Sequence, residues 1–275
     1  MQVQLNALSA RHPAAALGSV AALKPLSLSM AEGEQVAIIG PSGAGKTTFL
    51  HAVACALRPA AGQLRLGQVE PWLLGRFELQ KLRGQLFLAP QVPPLPPRQR
   101  VVTATLAGGL PGMGLLASLQ SLFYPSDLAG AQAALAQFDL ADKLFDRVDR
   151  LSGGERQRVG LARLLLADAS LWLVDEPLSA LDPTRAVLAM EALTKNAAAR
   201  GATLICTLHQ VEKALAYFPR IVGLRDGSLV FDLPAAQVTP ALLQQLYAQH
   251  EDELTGPAPE PLPMPNAAPA AMHCR

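Results

Sequence analysis

Eight consecutive residues, Gly40-Pro41-Ser42-Gly43-Ala44-Gly45-Lys46-Thr47, place three glycines, a lysine and a hydroxyl in an order suited to holding an anion. Glycine at 40, 43 and 45 lets the backbone turn tightly, so that successive N–H groups and the start of a following helix converge on one point. The anion that fits is the phosphate tail of a nucleotide. Lys46 is expected on its terminal phosphates as a point charge, and the Thr47 hydroxyl as a magnesium ligand. Magnesium needs further hard oxygen donors, and Asp175, closing an apolar run, can reach a metal held by Thr47. Glu176, next in line, is the candidate base that orients and deprotonates water. His209, at the end of a second apolar run, is placed to hold the terminal phosphate or the attacking water.

Strands and helices must bring these groups together. The run Gln35-Val36-Ala37-Ile38-Ile39 reads as a buried parallel strand entering the glycine-rich turn, and residues 48–54 as the helix leaving it. Residues 170–176 and 202–209 read as two more buried strands, joined by a helix over 183–199 with Pro183 in its first turn. Strands alternating with helices predict a parallel sheet that binds its ligand at the carboxyl ends of the strands, where Gly40, Asp175, Glu176 and His209 all fall. Residues 85–91 form a further strand running up to Gln91. The four prolines of Val92-Pro93-Pro94-Leu95-Pro96-Pro97 then require a stiff extended linker.

Ahead of the glycine-rich turn, residues 1–31 alternate weakly, with a strand at 26–30. These are expected to be antiparallel strands flanking the central one, and residues 63–67 begin another short strand. Asp127 can cap a helix over 128–138, and Ser152 followed by Glu155 is a capping box opening a helix over 156–167. Asp226-Gly227 marks a hairpin, and residues 239–249 a closing helix. Beyond Gly256 the Pro/Ala-rich composition predicts disorder over 256–275.

Composition bounds the rest. In 275 residues with 50% hydrophobic content there is material for a real core, and a net charge of +1 gives no electrostatic case for nucleic acid as a partner. Cys55, Cys206 and Cys274 lie too far apart for metal-ligand spacing, which suits a reducing compartment, and nothing at the N-terminus marks export. Residues 101–126 carry no charge, yet their glycines and prolines argue against a membrane span and for short helices whose surface meets another protein.

Leu151-Ser152-Gly153-Gly154-Glu155-Arg156-Gln157-Arg158 resembles the signature motif of ATP-binding cassette (ABC) ATPases. The order of motifs over about residues 20–250 is similar to that family throughout: phosphate loop, Gln91, signature, Asp175-Glu176, the D-loop Ser179-Ala180-Leu181-Asp182, and His209 as switch histidine. The resemblance implies an α/β P-loop NTPase with a RecA-like parallel-sheet core, an antiparallel β subdomain and an α-helical signature subdomain at about 92–166, all in one domain over 1–255. It implies ATP and Mg²⁺ as cofactors, bound by Gly40, Pro41, Ser42, Gly43, Ala44, Gly45, Lys46, Thr47 and Thr48. Gln91 and Asp175 join Thr47 at the metal, and Glu176, His209 and Gln91 act in hydrolysis. It also implies a head-to-tail dimer in which Ser152, Gly153 and Gly154 of one subunit close over the nucleotide of the other, with Asp182 acting across the interface. The family stacks adenine on an aromatic residue, but no Phe, Tyr or Trp precedes Phe49. His12, or an aliphatic side chain such as Leu17, takes that place.

The segments Leu122-Phe123-Tyr124-Pro125-Ser126-Asp127, Leu140-Ala141-Asp142-Lys143 and Arg220-Ile221-Val222-Gly223-Leu224-Arg225-Asp226-Gly227 look like the ATPase subunit of phosphonate importers. Importers of phosphate, amino acids or metal chelates stay open at this point. That resemblance implies integral-membrane permease partners, indirect dependence on a periplasmic or extracellular solute-binding protein, and a peripheral position on the cytoplasmic side of the cell inner membrane. The contrasting class is a soluble ABC ATPase of repair or translation. The first splits its cassette with long coiled coils and the second carries two cassettes, and this sequence has neither feature.

Overall fold

The computed structural model describes residues 1–11, 21–124 and 127–248. His12, Leu17, Pro125, Ser126 and the tail at 256–275 lie outside the described residues. The chain opens with strands β1 (Val3–Ala10), β2 (Leu23–Met30) and β3 (Gln35–Ile39), and β3 feeds helix α1 (Lys46–Val53). Strand β4 (Ala61–Leu66), helix α2 (Arg76–Arg83) and strand β5 (Leu86–Ala89) follow. Helices α3 (Val101–Leu106), α4 (Leu115–Phe123), α5 (Leu128–Ala136) and α6 (Gly153–Leu165) come next. The chain returns through β6 (Leu171–Asp175), α7 (Pro183–Arg200), β7 (Thr203–Thr207) and α8 (Val211–Tyr217). The hairpin β8 (Arg220–Arg225) and β9 (Ser228–Pro234) precedes α9 (Pro240–Leu246).

The strands form two sheets, a three-stranded one in the order β2-β1-β4 and a six-stranded one in the order β5-β6-β7-β3-β8-β9. In the larger sheet every neighbouring pair is parallel except β8 with β9. The uniform apolar runs of β3, β6 and β7 follow from burial on both faces. On one face Ala37, Ile39, Trp172, Val174, Leu204 and Cys206 join a core shared with α3 and α5 to α9. On the other, Val36, Ile38, Leu171, Leu173 and Ile205 pack on Phe49, Leu50 and Val53 of α1 and on the small sheet.

The expectation that the early strands flank β3 is corrected: the lateral neighbours of β3 are β7 and β8, both parallel to it. β1, β2 and β4 instead pair with one another as a second layer, because α1 lies between the two sheets and consumes the inner faces of both. Alternation in a strand fixes which face is buried but not which sheet it joins.

Local signals read from the sequence recur as geometry. Asp127 accepts a hydrogen bond from the Gly130 N–H at the start of α5, and Asp226 and Gly227 take positive φ values of 48° and 73° in the hairpin turn. The capping box places Ser152 at the N-cap, so α6 begins at Gly153 rather than at 156. Residues 101–124 hold short helices, with Met113, Leu116, Leu119 and Tyr124 exposed. No helix among the described residues is long and apolar enough to cross a membrane.

Candidate functional site

At the carboxyl end of β3 the chain turns through a loop that only glycine can form. Gly40 has φ +152°, and a Cβ there would lie 2.0 Å from the Leu224 carbonyl oxygen; at Gly45, φ +97°, it would lie 2.6 Å from the Ala22 carbonyl. Gly43, φ +78°, has nothing within 4 Å, so its role is backbone sign and not close packing. Lys46, 5% exposed, folds back over the loop and donates from Nζ to the carbonyls of Gly40 (2.7 Å) and Pro41 (3.2 Å). Ser42 and Gly43 are exposed at the crown, Pro41 and Ala44 are buried below it, and Thr48 is buried on α1. The Gly40 N–H donates to the hydroxyl of Tyr247, a wholly buried ring following α9.

β6 carries its carboxylates to the same end of the sheet. Asp175 is 5% exposed and accepts from the Thr47 hydroxyl (2.9 Å, Oδ2) and the Thr207 hydroxyl (2.6 Å, Oδ1). Burial raises its pKa, and the hydrogen bonds from Thr207 and Thr47 offset this only in part. A buried carboxylate beside a threonine hydroxyl at the foot of an anion-cradling loop is a donor set suited to a hard divalent cation bridging to phosphate oxygens. Glu176 follows with φ 47°, a left-handed backbone that is rare outside glycine. Its side chain meets His209, with Oε1 and Nε2 2.5 Å apart and both side chains 12% exposed. Its N–H donates to the carbonyl (3.2 Å) and hydroxyl (3.0 Å) oxygens of Thr207. Gln91 follows the end of β5, the neighbour of β6, and is half-buried.

These residues therefore converge: the loop, Asp175, Glu176, His209 and Gln91 all stand at the carboxyl ends of parallel strands. Ser152, Gly153 and Gly154 do not join them within one chain. Ser152 and Glu155 instead cap α6 reciprocally, the Ser152 N–H donating to Glu155 Oε2 (2.7 Å) and the Glu155 N–H to Ser152 Oγ (3.2 Å). The first of these bonds holds the Glu155 carboxyl below its usual pKa. Ser152 and Gly153 are exposed, and a Cβ on Gly153 would meet nothing within 4 Å. Asp182 is also exposed and caps α7, accepting from the Arg185 N–H (3.1 Å) and pairing with its guanidinium (2.8 Å).

Three residues at the site escape sequence reading. Thr207 sits inside an apolar strand and Tyr247 in a mixed helical segment, where a hydroxyl looks incidental, and only the fold shows that one meets Asp175 and the other Gly40. Gln157 lies one turn into α6 with its side chain 4% exposed, and the signal available was a polar residue on the buried face of that helix.

The sequence pattern of the family described as ABC transporter matches residues 23–179. The chain is 66% identical over 277 residues to a phosphonates import ATP-binding protein of Polaromonas sp., covering all of both chains. Against the protein so named from Pseudomonas entomophila it is 49% identical over 251 residues, covering 91% of this chain and 93% of the relative. Among solved structures it resembles a dimeric bacterial ABC transporter cassette, with TM-score 0.73, 27% identity, and 85% and 98% of the two chains covered. It also resembles a dimeric ATP-binding cassette in a post-hydrolysis state bound to ADP and Pi, with TM-score 0.71, 26% identity and coverage of 85% and 98%.

Proposed function

This chain belongs to the ABC transporter family of ATP-binding proteins, and we propose that it is the ATP-hydrolysing subunit of a phosphonate importer. One observation carries the hydrolytic part: a glycine cradle with its lysine, the Thr47–Asp175 pair and the Glu176–His209 pair share one edge of a parallel sheet. The cargo rests on kinship, since full-length relatives at 66% identity are phosphonate import proteins.

Each residue has a role under this reading. Residues Gly40 to Thr48 hold the triphosphate through backbone N–H groups and the α1 terminus, and Lys46 exchanges its carbonyl partners for phosphate oxygens. Thr47, Asp175 and Gln91 would hold Mg²⁺, and the ion would neutralise negative charge on the phosphate oxygens. Glu176 accepts the proton of the attacking water, and His209 fixes the Glu176 carboxylate and reaches the terminal phosphate. Ser152 and Gly153, exposed at the start of α6, close with Gly154 over the nucleotide of a second copy of the chain, with Asp182 crossing the same interface. Both dimeric cassettes resembled by this chain make such an assembly a natural one.

The subunit binds permease subunits on the cytoplasmic face of the inner membrane, and a solute-binding protein engages it only through them. Exposed apolar side chains, among them Leu73 (80%), Phe77 (86%) and Leu116 (84%), supply surface for that docking. The test is reconstitution with a phosphonate permease and its solute-binding protein. Phosphonate should stimulate ATP turnover, whereas phosphate, amino acids and metal chelates should not. Stimulation by one of those alone would overturn the cargo assignment.

A further inference from the structure

We propose that Gln157 is a positioning residue that ties the nucleotide-facing start of α6 to the backbone of Glu176, and so makes turnover at one ATP depend on the presence of the other. The inference rests on the dimeric reading above. Glu176 adopts φ 47° although it is not glycine, a left-handed backbone state disfavoured for a residue with a Cβ. Such a state persists only where its neighbours hold it. On the N–H side Thr207 does so, through its carbonyl (3.2 Å) and hydroxyl (3.0 Å). On the carbonyl side Gln157 Nε2 donates to the Glu176 oxygen at 2.9 Å, the shorter of two bonds there, the other coming from the Ser179 N–H at 3.4 Å.

The same carboxamide makes two further bonds. Nε2 also donates to Ser179 Oγ (3.1 Å), and Oε1 accepts from the Ala180 N–H (3.1 Å). One buried side chain thus uses donor and acceptor to join α6 both to the residue bearing the base and to the turn that leads to Asp182. Backbone packing reinforces the joint, since a Cβ on Gly154 would lie 2.6 Å from the Ala180 carbonyl oxygen. Residues Ser152 to Gly154 lie one helical turn before Gln157 on the same rigid segment. A nucleotide of the partner subunit that shifts the start of α6 therefore shifts the carbonyl of Glu176, and with it the carboxylate aimed at the nucleotide of its own loop.

The test uses Gln157→Met, which keeps length and helix propensity but removes all three bonds, assayed in the complex with its permease. ATP affinity should stay within about 3-fold of the parent, because no residue of the phosphate loop is touched. kcat should fall by about 10-fold or more, the range in which general-base placement acts. The Hill coefficient for ATP should fall from above one to one. Retained kcat, an affinity loss matching the loss in kcat, or an unchanged Hill coefficient would each overturn the proposal, as would a parent coefficient of one. Should Gln157→Met not fold, Ser179→Ala removes one of the three bonds, and it should lower kcat and the Hill coefficient partway; no change in either counts against the joint. Glu176→Gln is the control for the underlying reading: hydrolysis surviving in it removes the assignment of the base, whatever Gln157 does.

Discussion

The two signature glycines separate fold from function by their surroundings. Gly153 is exposed, and a side chain there meets nothing within 4 Å, whereas Gly154 would drive a Cβ to 2.6 Å from the Ala180 carbonyl oxygen and 3.5 Å from Leu181 Cδ2. Gly153→Val exchanges the weakest non-proline helix former for a moderate one, a change worth about 0.3–0.5 kcal/mol in favour of the helix. Gly154→Ala gains about 1 kcal/mol of propensity but forces a backbone displacement costing about 1–3 kcal/mol. For a domain of this size each kcal/mol moves the melting temperature by roughly 2–4 °C. Without nucleotide, Gly153→Val should melt within about 2 °C of the parent, and Gly154→Ala should melt below Gly153→Val.

Turnover should rank differently. If Gly153 faces the phosphates of the partner's nucleotide, the isopropyl group of the valine variant occupies the space that closure needs. ATP hydrolysis should then fall by about 10-fold or more, equivalent to roughly 1.4 kcal/mol of barrier. Binding of a fluorescent ATP analogue by the isolated subunit should stay within about 2-fold, a difference of roughly 0.4 kcal/mol. Thermal melts, analogue titration and a phosphate-release assay on the same preparations decide the matter. A Gly153→Val protein with full turnover would refute the shared site, and a Gly154→Ala protein as stable as Gly153→Val would refute the close packing on Ala180.

Other perturbations have definite outcomes. Glu176→Gln should keep ATP binding, lose about 100-fold or more in hydrolysis and accumulate as a dimer with ATP by size-exclusion chromatography; undiminished turnover would remove the base. Tyr247→Phe strips the acceptor from the buried Gly40 N–H, costing about 1–2 kcal/mol, and should lower both the melting temperature and ATP affinity. Glu155→Ala removes half of the α6 capping box, worth about 1 kcal/mol at neutral pH. Because the Glu155 pKa is lowered in the folded protein, its contribution is present above the ordinary carboxylate pKa and is lost as pH falls through the folded value. The melting difference between parent and variant should therefore shrink on acidification, and a constant difference would mean that the carboxylate is not the cap.

How legible each part was depends on the range of the interaction that fixes it. The loop at 40–47, the capping box at 152–155 and the turn at 226–227 are local, so residue type and spacing sufficed. Asp175, Glu176 and His209 could be placed together because an apolar run ending in a polar residue marks the carboxyl end of a buried strand. The pairing of β1 with β2 and β4 could not be read, because weak alternation fits any half-buried strand. Helix α2 also escaped: of Arg76–Arg83 only Leu82 is buried and only Leu79 packs partly beside it, so its apolar stripe is one turn long. Thr207, Tyr247 and Gln157 act through partners 32, 207 and up to 23 residues away, and nothing in the chain reports that distance.

The proline-rich linker after Gln91 takes on a different meaning once its neighbours are known. Stiffness alone would limit motion between Gln91 and the helices that follow. Yet Pro93 rests on Gly160 of α6, where a Cβ would lie 2.7 Å from its own Cβ, and the Pro97 carbonyl accepts from the Asp149 N–H at 2.9 Å. The linker is thus fastened to α6 and to the segment leading into it. A stiff connector joined to a rigid helix transmits displacement instead of absorbing it, since prolines fix φ and leave few soft dihedrals in which motion could be lost. α6 then carries the exposed Ser152 and Gly153 at its start, the Gln157 joint to Glu176 one turn on, and the Pro93 contact one turn further. Gly160→Ala tests this last link, because the added methyl must push the proline ring away while adding helix propensity. ATP affinity should be unchanged, and stimulation of turnover by the loaded solute-binding protein should fall. Unaltered stimulation would show that the linker moves independently of the helix.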